Sequence, residues 1–180
     1  MKKFIATLTL LIGFSANAGL ISANLSNTSV AVGETTELSI LGSGFEDFDT
    51  FYFELEFDTS LFSVDLSSLV SDLQDASDFD FAFTQESFGL ALSFTNLSLF
   101  EVADFNAATV TLTALAEGVT SFNLVNILVD DFFGAGPITA DVDPQSPSTV
   151  EVAAAAVPTP ATLSLFAIAI FGLVGLRRKA

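Results

Sequence analysis

The chain of 180 residues has no Cys, no His and no Trp, and a single Tyr. Without thiol or imidazole there is no disulfide framework, no Cys- or His-ligated metal and no Ser-His-Asp triad. Without Trp, and with Tyr52 alone, a sugar ring finds little to stack on. Basic residues are nearly as scarce: the five are Lys2, Lys3, Arg177, Arg178 and Lys179, all at the extreme ends. Residues 19–157 therefore carry all 22 carboxylates and no Lys or Arg, a formal charge of −22 against −17 for the whole chain. Such a body repels nucleic acid and anionic lipid, because phosphate binding needs Lys or Arg to displace counterions. What is abundant is apolar. At 51% hydrophobic, with 20 Phe, the chain has enough material for one packed domain plus appendages.

The amino end carries the pattern of an export signal. Lys2 and Lys3 give a positive start, residues 4–14 are an apolar run, and Ala16-Asn17-Ala18 is a small-x-small cleavage site that would leave Gly19 first. The run is short for a membrane span, and no Cys follows for lipid attachment. Residues 1–18 are thus expected to be a signal peptide and residues 19–152 the domain. At the other end, residues 153–162 form an Ala-rich linker with a Pro-x-Pro element, Val157, Pro158, Thr159, Pro160, Ala161. Residues 163–180 then give an apolar helix of 14 residues that stops at Arg177, Arg178 and Lys179. Fourteen residues at 1.5 Å each reach about 21 Å, a marginal span, and the cationic end is expected to stay cytoplasmic.

This tail resembles the PEP-CTERM sorting signal: Val157-Pro158-x-Pro160-Ala161-Thr162-Leu163, a short apolar helix and an Arg cluster. Thr159 stands where that family usually has Glu. The resemblance implies a Gram-negative source and, besides signal peptidase, an exosortase-type membrane enzyme as partner. That enzyme would cut near the motif, moving an inner-membrane-tethered chain to the cell surface or the medium.

Between the signals the dominant period is two. Phe51, Phe53, Leu55 and Phe57 alternate with Tyr52, Glu54 and Glu56, which puts four apolar groups on one sheet face. Phe79, Phe81 and Phe83, the turn Thr84-Gln85-Glu86-Ser87, then Phe88, Leu90, Leu92 and Phe94 read as a hairpin. Leu38 and Ile40 follow a turn at Gly33-Glu34; Val110, Leu112 and Ala114 precede one at Glu117-Gly118, after which residues 119–129 return as one strand. Weaker strands are expected at 138–142 and 149–152, and a short helix at 66–73. Eight or nine strands predict an all-β fold, an antiparallel β-sandwich or jelly roll, with about ten of the 16 body Phe in the core. With no Lys available, Asp78, Asp80, Glu54 and Glu56 are expected to guard sheet edges.

The series Val32-Gly33-Glu34-Thr35, then residues 51–57 and Asp58-Thr59-Ser60-Leu61-Phe62-Ser63-Val64, resembles the opening strands of cohesin domains. Residues 108–124 and 125–131 are similar to the closing strands of that family, with Thr59 in place of the commoner Pro. The resemblance implies a cohesin-like sandwich with a non-catalytic binding or structural role.

Carboxylates pair at Glu46-Asp47-x-Asp49, Asp78-x-Asp80, Asp130-Asp131 and Asp141-x-Asp143. Hard cations take such oxygens, so Asp130, Asp131, Asp141 and Asp143 are the candidate calcium ligands, although no EF-hand spacing occurs. Asn24, Asn27 and Asn96 start accidental glycosylation sequons. Together these features suggest an exported, surface-sorted, non-catalytic protein with a structural or adhesive role in the envelope or extracellular polysaccharide matrix. The alternative is a carbohydrate- or protein-binding module, with or without calcium, working through sandwich loops and reaching extracellular polysaccharide or surface proteins. A glycoside hydrolase fits least, because paired carboxylates alone lack a sugar platform.

Overall fold

The structure, a computed structural model, describes residues 18–155 apart from 135, 145, 147 and 148. Residues 1–17, the Val157, Pro158, Thr159, Pro160, Ala161 motif and the Arg177, Arg178, Lys179 end lie outside the described residues. In order the elements are β1 (Gly19–Leu25), β2 (Ser29–Ala31), β3 (Thr35–Ser43), β4 (Phe48–Glu56), β5 (Phe62–Val70) and α1 (Asp72–Ala76). There follow β6 (Asp80–Glu86), β7 (Gly89–Phe100), β8 (Phe105–Ala114), β9 (Gly118–Ser121), β10 (Asn123–Asp131), β11 (Gly136–Pro137), β12 (Ala140–Val142) and β13 (Thr149–Ala153). The expected cleavage point adjoins β1, whose Gly19 N–H donates to the Thr139 carbonyl at 3.0 Å.

Two five-stranded sheets, ordered β12-β1-β3-β8-β5 and β11-β10-β4-β7-β6, share one core, with a third sheet, β2-β13-β9, beside them. The fold is an all-β sandwich. Pairing is antiparallel except for β1 with β12 and β13 with β2, which are parallel. Those contacts bring together segments far apart in sequence, so no local turn announces them.

The alternating Phe residues fill the space between the sheets. Ten of them are buried, and they form two groups, the larger extending through Phe51 to Phe53. Phe48 is the hub of the larger group, with ring centroids of Phe45, Phe51, Phe94, Phe100 and Phe105 within 6.1 Å. At the other end Phe122 stacks on Phe57 at 4.8 Å and meets Phe62 edge-on at 5.9 Å. Phe105 lies over Gly42, where a Cβ would stand 2.4 Å from the ring, so the glycine makes room for the aromatic layer.

Phe122 also explains why residues 119–129 are two strands rather than the single one expected. Its ring, with no exposure, turns into the core between β9 and β10, and the chain passes from one sheet to another there. The hairpin β6–β7 forms as expected, but its loop is Ser87-Phe88, because Glu86 already pairs with Gly89. Gly89 has φ +148, and a Cβ there would stand 2.0 Å from the Leu55 carbonyl oxygen, so a side chain is excluded. The helix expected at 66–73 begins later. Residues 66–70 belong to β5, and α1 starts where Ser71 Oγ accepts the Gln74 N–H, with Asp72 and Asp75 in the first turn. Glu54 and Glu56 do not guard an edge, since β4 lies in the middle of its sheet; Asp80 opens the edge strand β6.

Phe122→Ala is expected to lower unfolding free energy by about 3–5 kcal/mol. Phe132→Ala, at a 76% exposed position, should change it by less than about 0.5 kcal/mol. Urea denaturation of the two variants checks both values; equal losses would refute the assignment of Phe122 as the end plug.

Candidate functional site

On the outer face of β10, β4, β7 and β6 side chains line up in rows across the strands. Leu128, Tyr52, Ser93 and Ala82 form one row, and Val125, Glu54, Ala91 and Thr84 the next. Toward the other end of β4 a further row runs Asp130, Thr50, Thr95, Asp80. Their neighbours in sequence, Phe51, Phe53, Leu55, Leu92 and Phe94, point inward and are fully buried. The same alternation that builds the core therefore builds the face.

At its centre, Tyr52 Oη donates to Glu54 Oε1 at 2.5 Å, and Asn126 Nδ2 donates to Glu54 Oε2 at 2.5 Å. Asn126 reaches across because β10 bulges between Val125 and Leu128, with Asn126 at φ 51, a conformation Asn tolerates better than most residues. The hydrogen bond to Glu54, then burial and the charges of Glu54 and Glu86, raise the Tyr52 phenol above its ordinary value. The donors Tyr52 and Asn126 hold the Glu54 carboxyl below its own.

Above this network lies a notch of about 310 Å³. Thr50 and Thr95 are its floor, Phe79 one wall, and Phe132 with Phe133 the other. These three Phe are 66%, 76% and 72% exposed, and Leu97 beside them is 64% exposed. The Phe132 and Phe133 rings meet at 5.4 Å and 89°. Their turn is anchored from below by Asp49, only 1% exposed, which accepts the N–H groups of Phe132 and Phe133 at 3.2 and 3.3 Å. Asp49 also accepts from Thr50 Oγ1 at 3.0 Å. Sequence reasoning grouped Asp49 with the cation-binding pairs; the structure uses it as a buried acceptor for backbone amides. Nothing in the pattern of charges distinguishes it, because its backbone-amide partners lie more than 80 positions away.

The expected calcium ligands are distributed between the two sheets. Asp130 and Asp131 end β10 beside β11, whereas Asp141 is on β12, at the edge of the opposite sheet, and Asp143 follows it. The Asp143 N–H donates to the Ile21 carbonyl at 2.9 Å. Among the described residues no group of three or more acidic side chains is arranged to hold a metal ion. Other acidic pairs serve the backbone: Asp78 accepts from Leu97 N–H at 2.7 Å and Ser98 Oγ at 3.0 Å. Asn96, one of the sequon residues, is buried, accepting from Asp78 N–H and donating to the Ala76 carbonyl. Among the described residues no helix is long and apolar enough to cross a membrane.

No protein-family profile and no curated relative matches the sequence. Solved structures do. A type II cohesin domain from the cellulosome of Acetivibrio cellulolyticus superposes with a TM-score of 0.60 at 17% identity, over 74% of this chain and 95% of that one. A type I cohesin–dockerin complex from Clostridium thermocellum gives 0.60 at 14%, over 77% and 95%. The cohesin module of a family 33 glycoside hydrolase from Clostridium perfringens gives 0.56 at 16%, over 77% and 98%. The fold is therefore cohesin-like, as residues 32–35, 51–64 and 108–131 suggested.

Because Tyr52 is the sole tyrosine, its ionisation can be followed directly by absorbance. The phenol should titrate at higher pH in the native chain than in urea, and Glu54→Gln should bring the native midpoint down. The raised phenol contributes stability that is present below the unfolded-state pKa and lost as pH rises through the native one. Glu54 contributes stability present above its unfolded pKa and lost as pH falls through its lowered native value. Coincident native and unfolded midpoints would disprove the Tyr52–Glu54 bond in solution.

Proposed function

We propose that this chain is an exported, non-catalytic module that holds a cationic protein partner on the outer face of β10, β4, β7 and β6, with an adhesive role at the cell surface. The observation that carries this reading is the face itself. No strand or helix of the described residues packs over it, it combines Tyr52 and Leu128 with Glu54, Asp80 and Asp130, and residues 18–155 contain no Lys or Arg to neutralise it. A complementary partner supplies positive charge, which sets encounter rate and orientation. A polysaccharide fits less well, since the face has no Trp and, away from the notch walled by Phe79, Phe132 and Phe133, its strands present Tyr52 as the one outward ring.

Two further points support the reading. Structures similar to this chain include the complex of CaDoc0917 with CaCohA2 and the cohesin–dockerin complex of OlpC with Doc435. The sequence of the described body lacks His, Cys, Lys and Arg, the side chains that most often act as nucleophile, base or electrophilic clamp beside a carboxylate. Export rests on the signal pattern around Ala16, Ala18 and Gly19, and surface sorting on Pro158, Pro160 and the Arg177, Arg178, Lys179 end. In this reading signal peptidase removes residues 1–18, and an exosortase-type enzyme processes the tail while the apolar helix keeps the chain in the inner membrane.

The full chain expressed in a strain with such an enzyme should yield secreted protein beginning at Gly19 by mass spectrometry. Replacing Arg177, Arg178 and Lys179 by Ala should make precursor accumulate. Tyr52→Arg with Leu128→Arg should reduce retention of the protein on washed cells by roughly tenfold, whereas Thr111→Arg on the opposite sheet should not. Intact Met1 on the surface would defeat the export proposal. Unchanged retention of the Tyr52, Leu128 variant would defeat the assignment of the binding face.

A further inference from the structure

The geometry points to a more specific role for the notch: it receives one large apolar side chain, aromatic or long aliphatic, that lies next to Lys or Arg in an extended segment of the partner. This deepens the proposal above and rests on it. Single exposed apolar residues are ordinary on a protein surface, but Phe79, Leu97, Phe132 and Phe133 are contiguous and face one cavity. At about 310 Å³ the cavity lies at the small end of ligand pockets, about 300–1,000 Å³, so side-chain size suits it. Its aromatic wall is held in advance. The two amide hydrogen bonds to Asp49 fix the turn carrying Phe132 and Phe133, so little ordering is left for the binding step.

The charge beside the notch selects what accompanies that side chain. Asp130 and Asp80 end the row whose middle is the floor, Thr50 and Thr95, and three strand spacings put them about 14 Å apart. Asp130 Oδ1 is buried without a hydrogen-bond partner, and the described residues include no cation to compensate it. Lys or Arg on either side of an inserted ring would sit between these carboxylates and close to the faces of the exposed Phe rings, where cations are also attracted. A second copy of this chain is the wrong occupant: its body carries the same −22 and repels. Of the larger depressions elsewhere on the sandwich, the one of about 460 Å³ has Phe57 and Phe88 beside Glu56 and Asp58, but Phe57 is buried in the core, and the one of about 510 Å³, lined by Asn27, Ser29, Glu34 and neighbours, has no aromatic residue.

Tyr52, one row below the floor, gives a local optical probe, because it is the sole tyrosine and the chain has no Trp. Its emission would be followed in the full chain, kept in uncharged detergent, while three peptides are added: Lys-Lys-Phe-Lys-Lys, Lys-Lys-Ser-Lys-Lys and Ser-Ser-Phe-Ser-Ser. The first is expected to bind at least about tenfold more tightly than either of the others. In the double variant Phe132→Ser, Phe133→Ser its affinity should fall to that of the Ser-centred basic peptide, and Val119→Ser, exposed at the other end of the sandwich, should leave it unchanged. Equal binding of the two basic peptides, or indifference to the Phe substitutions, would overturn the notch while leaving the cationic-partner reading intact. Failure of both basic peptides to bind would remove that reading as well. Sedimentation showing a dimer that the double substitution dissolves would assign the notch to a second copy and overturn the proposal.

Discussion

The constraint on which the structure depends is that its carboxylates have no cation of their own. In the described body there is no Lys, Arg or His, so an acidic group that approaches the protein must be satisfied by N–H and O–H donors. The structure does this repeatedly. Asp104 accepts from the Gly44 amide, Asp72 from Asn106, Glu34 from Ala31, and Asp58 from both the amide and hydroxyl of Ser60. These bonds are charge-assisted and tie loops and turns to strands. Those of Ser60 also hold the Asp58 carboxyl below its usual value. Asp49 is the extreme case, because it is buried and ties the end of β10 to β4. An acidic side chain thus does the work that a salt bridge does in proteins of balanced charge.

The second element is the division of Phe between interior and surface. Ten rings form the core and hold the sheets in register, since a slip of one residue would turn Phe51, Phe53 and Leu55 out to solvent. That fixed register is what places Tyr52, Glu54 and Thr50 on the opposite side in straight rows. Aromatic pairs each contribute about 0.5–1.5 kcal/mol beyond area burial, so the dense cluster around Phe48 makes that end of the sandwich rigid. Phe79, Phe132 and Phe133 stay outside because they lie at strand ends, where the inner layer is already filled by Phe48, Phe94 and Phe100.

What was legible in the sequence follows from the range of each interaction. Strands β4, β7 and β8, the β6–β7 hairpin and the cohesin-like order of elements all rest on period-two patterns and local turns, which are read within a few residues. Asp-x-Ser turns such as Asp58-Thr59-Ser60 are equally local. The turn-in of Phe122 was not legible, because an apolar residue in an apolar stretch carries no mark of which sheet it joins. Nor was the parallel contact of β1 with β12, which spans over 100 positions. The candidate site divides the same way: the outward row Tyr52, Glu54, Glu56 could be read from alternation, whereas the notch needed Phe79 and Phe132 to meet across two intervening strands. The pairs Asp130-Asp131 and Asp141-x-Asp143 looked alike in sequence but lie on or beside strands of different sheets, β10 and β12, which approach each other, a relation that spacing within a segment does not reveal.

These properties bear on one another through solvent. The hydrogen bonds to Asp58 and Glu54 hold their carboxyls below the ordinary range, so bonding of this kind works against neutralising the formal −22 of the body. The field of that charge extends about 8 Å at physiological ionic strength and about 3 Å at 1 M. At the higher salt, self-repulsion within the sandwich is screened, and so is long-range attraction of a cationic partner. Recognition in a salty exterior then depends on contacts shorter than the screening length. An acidic face alone would lose most of its pull under those conditions. An apolar notch does not, because hydrophobic burial is insensitive to screening and strengthened by excluded salts. The placement of three exposed Phe beside Asp130 and Asp80 therefore combines a steering interaction that reaches through dilute solvent with an anchoring interaction that survives concentrated salt.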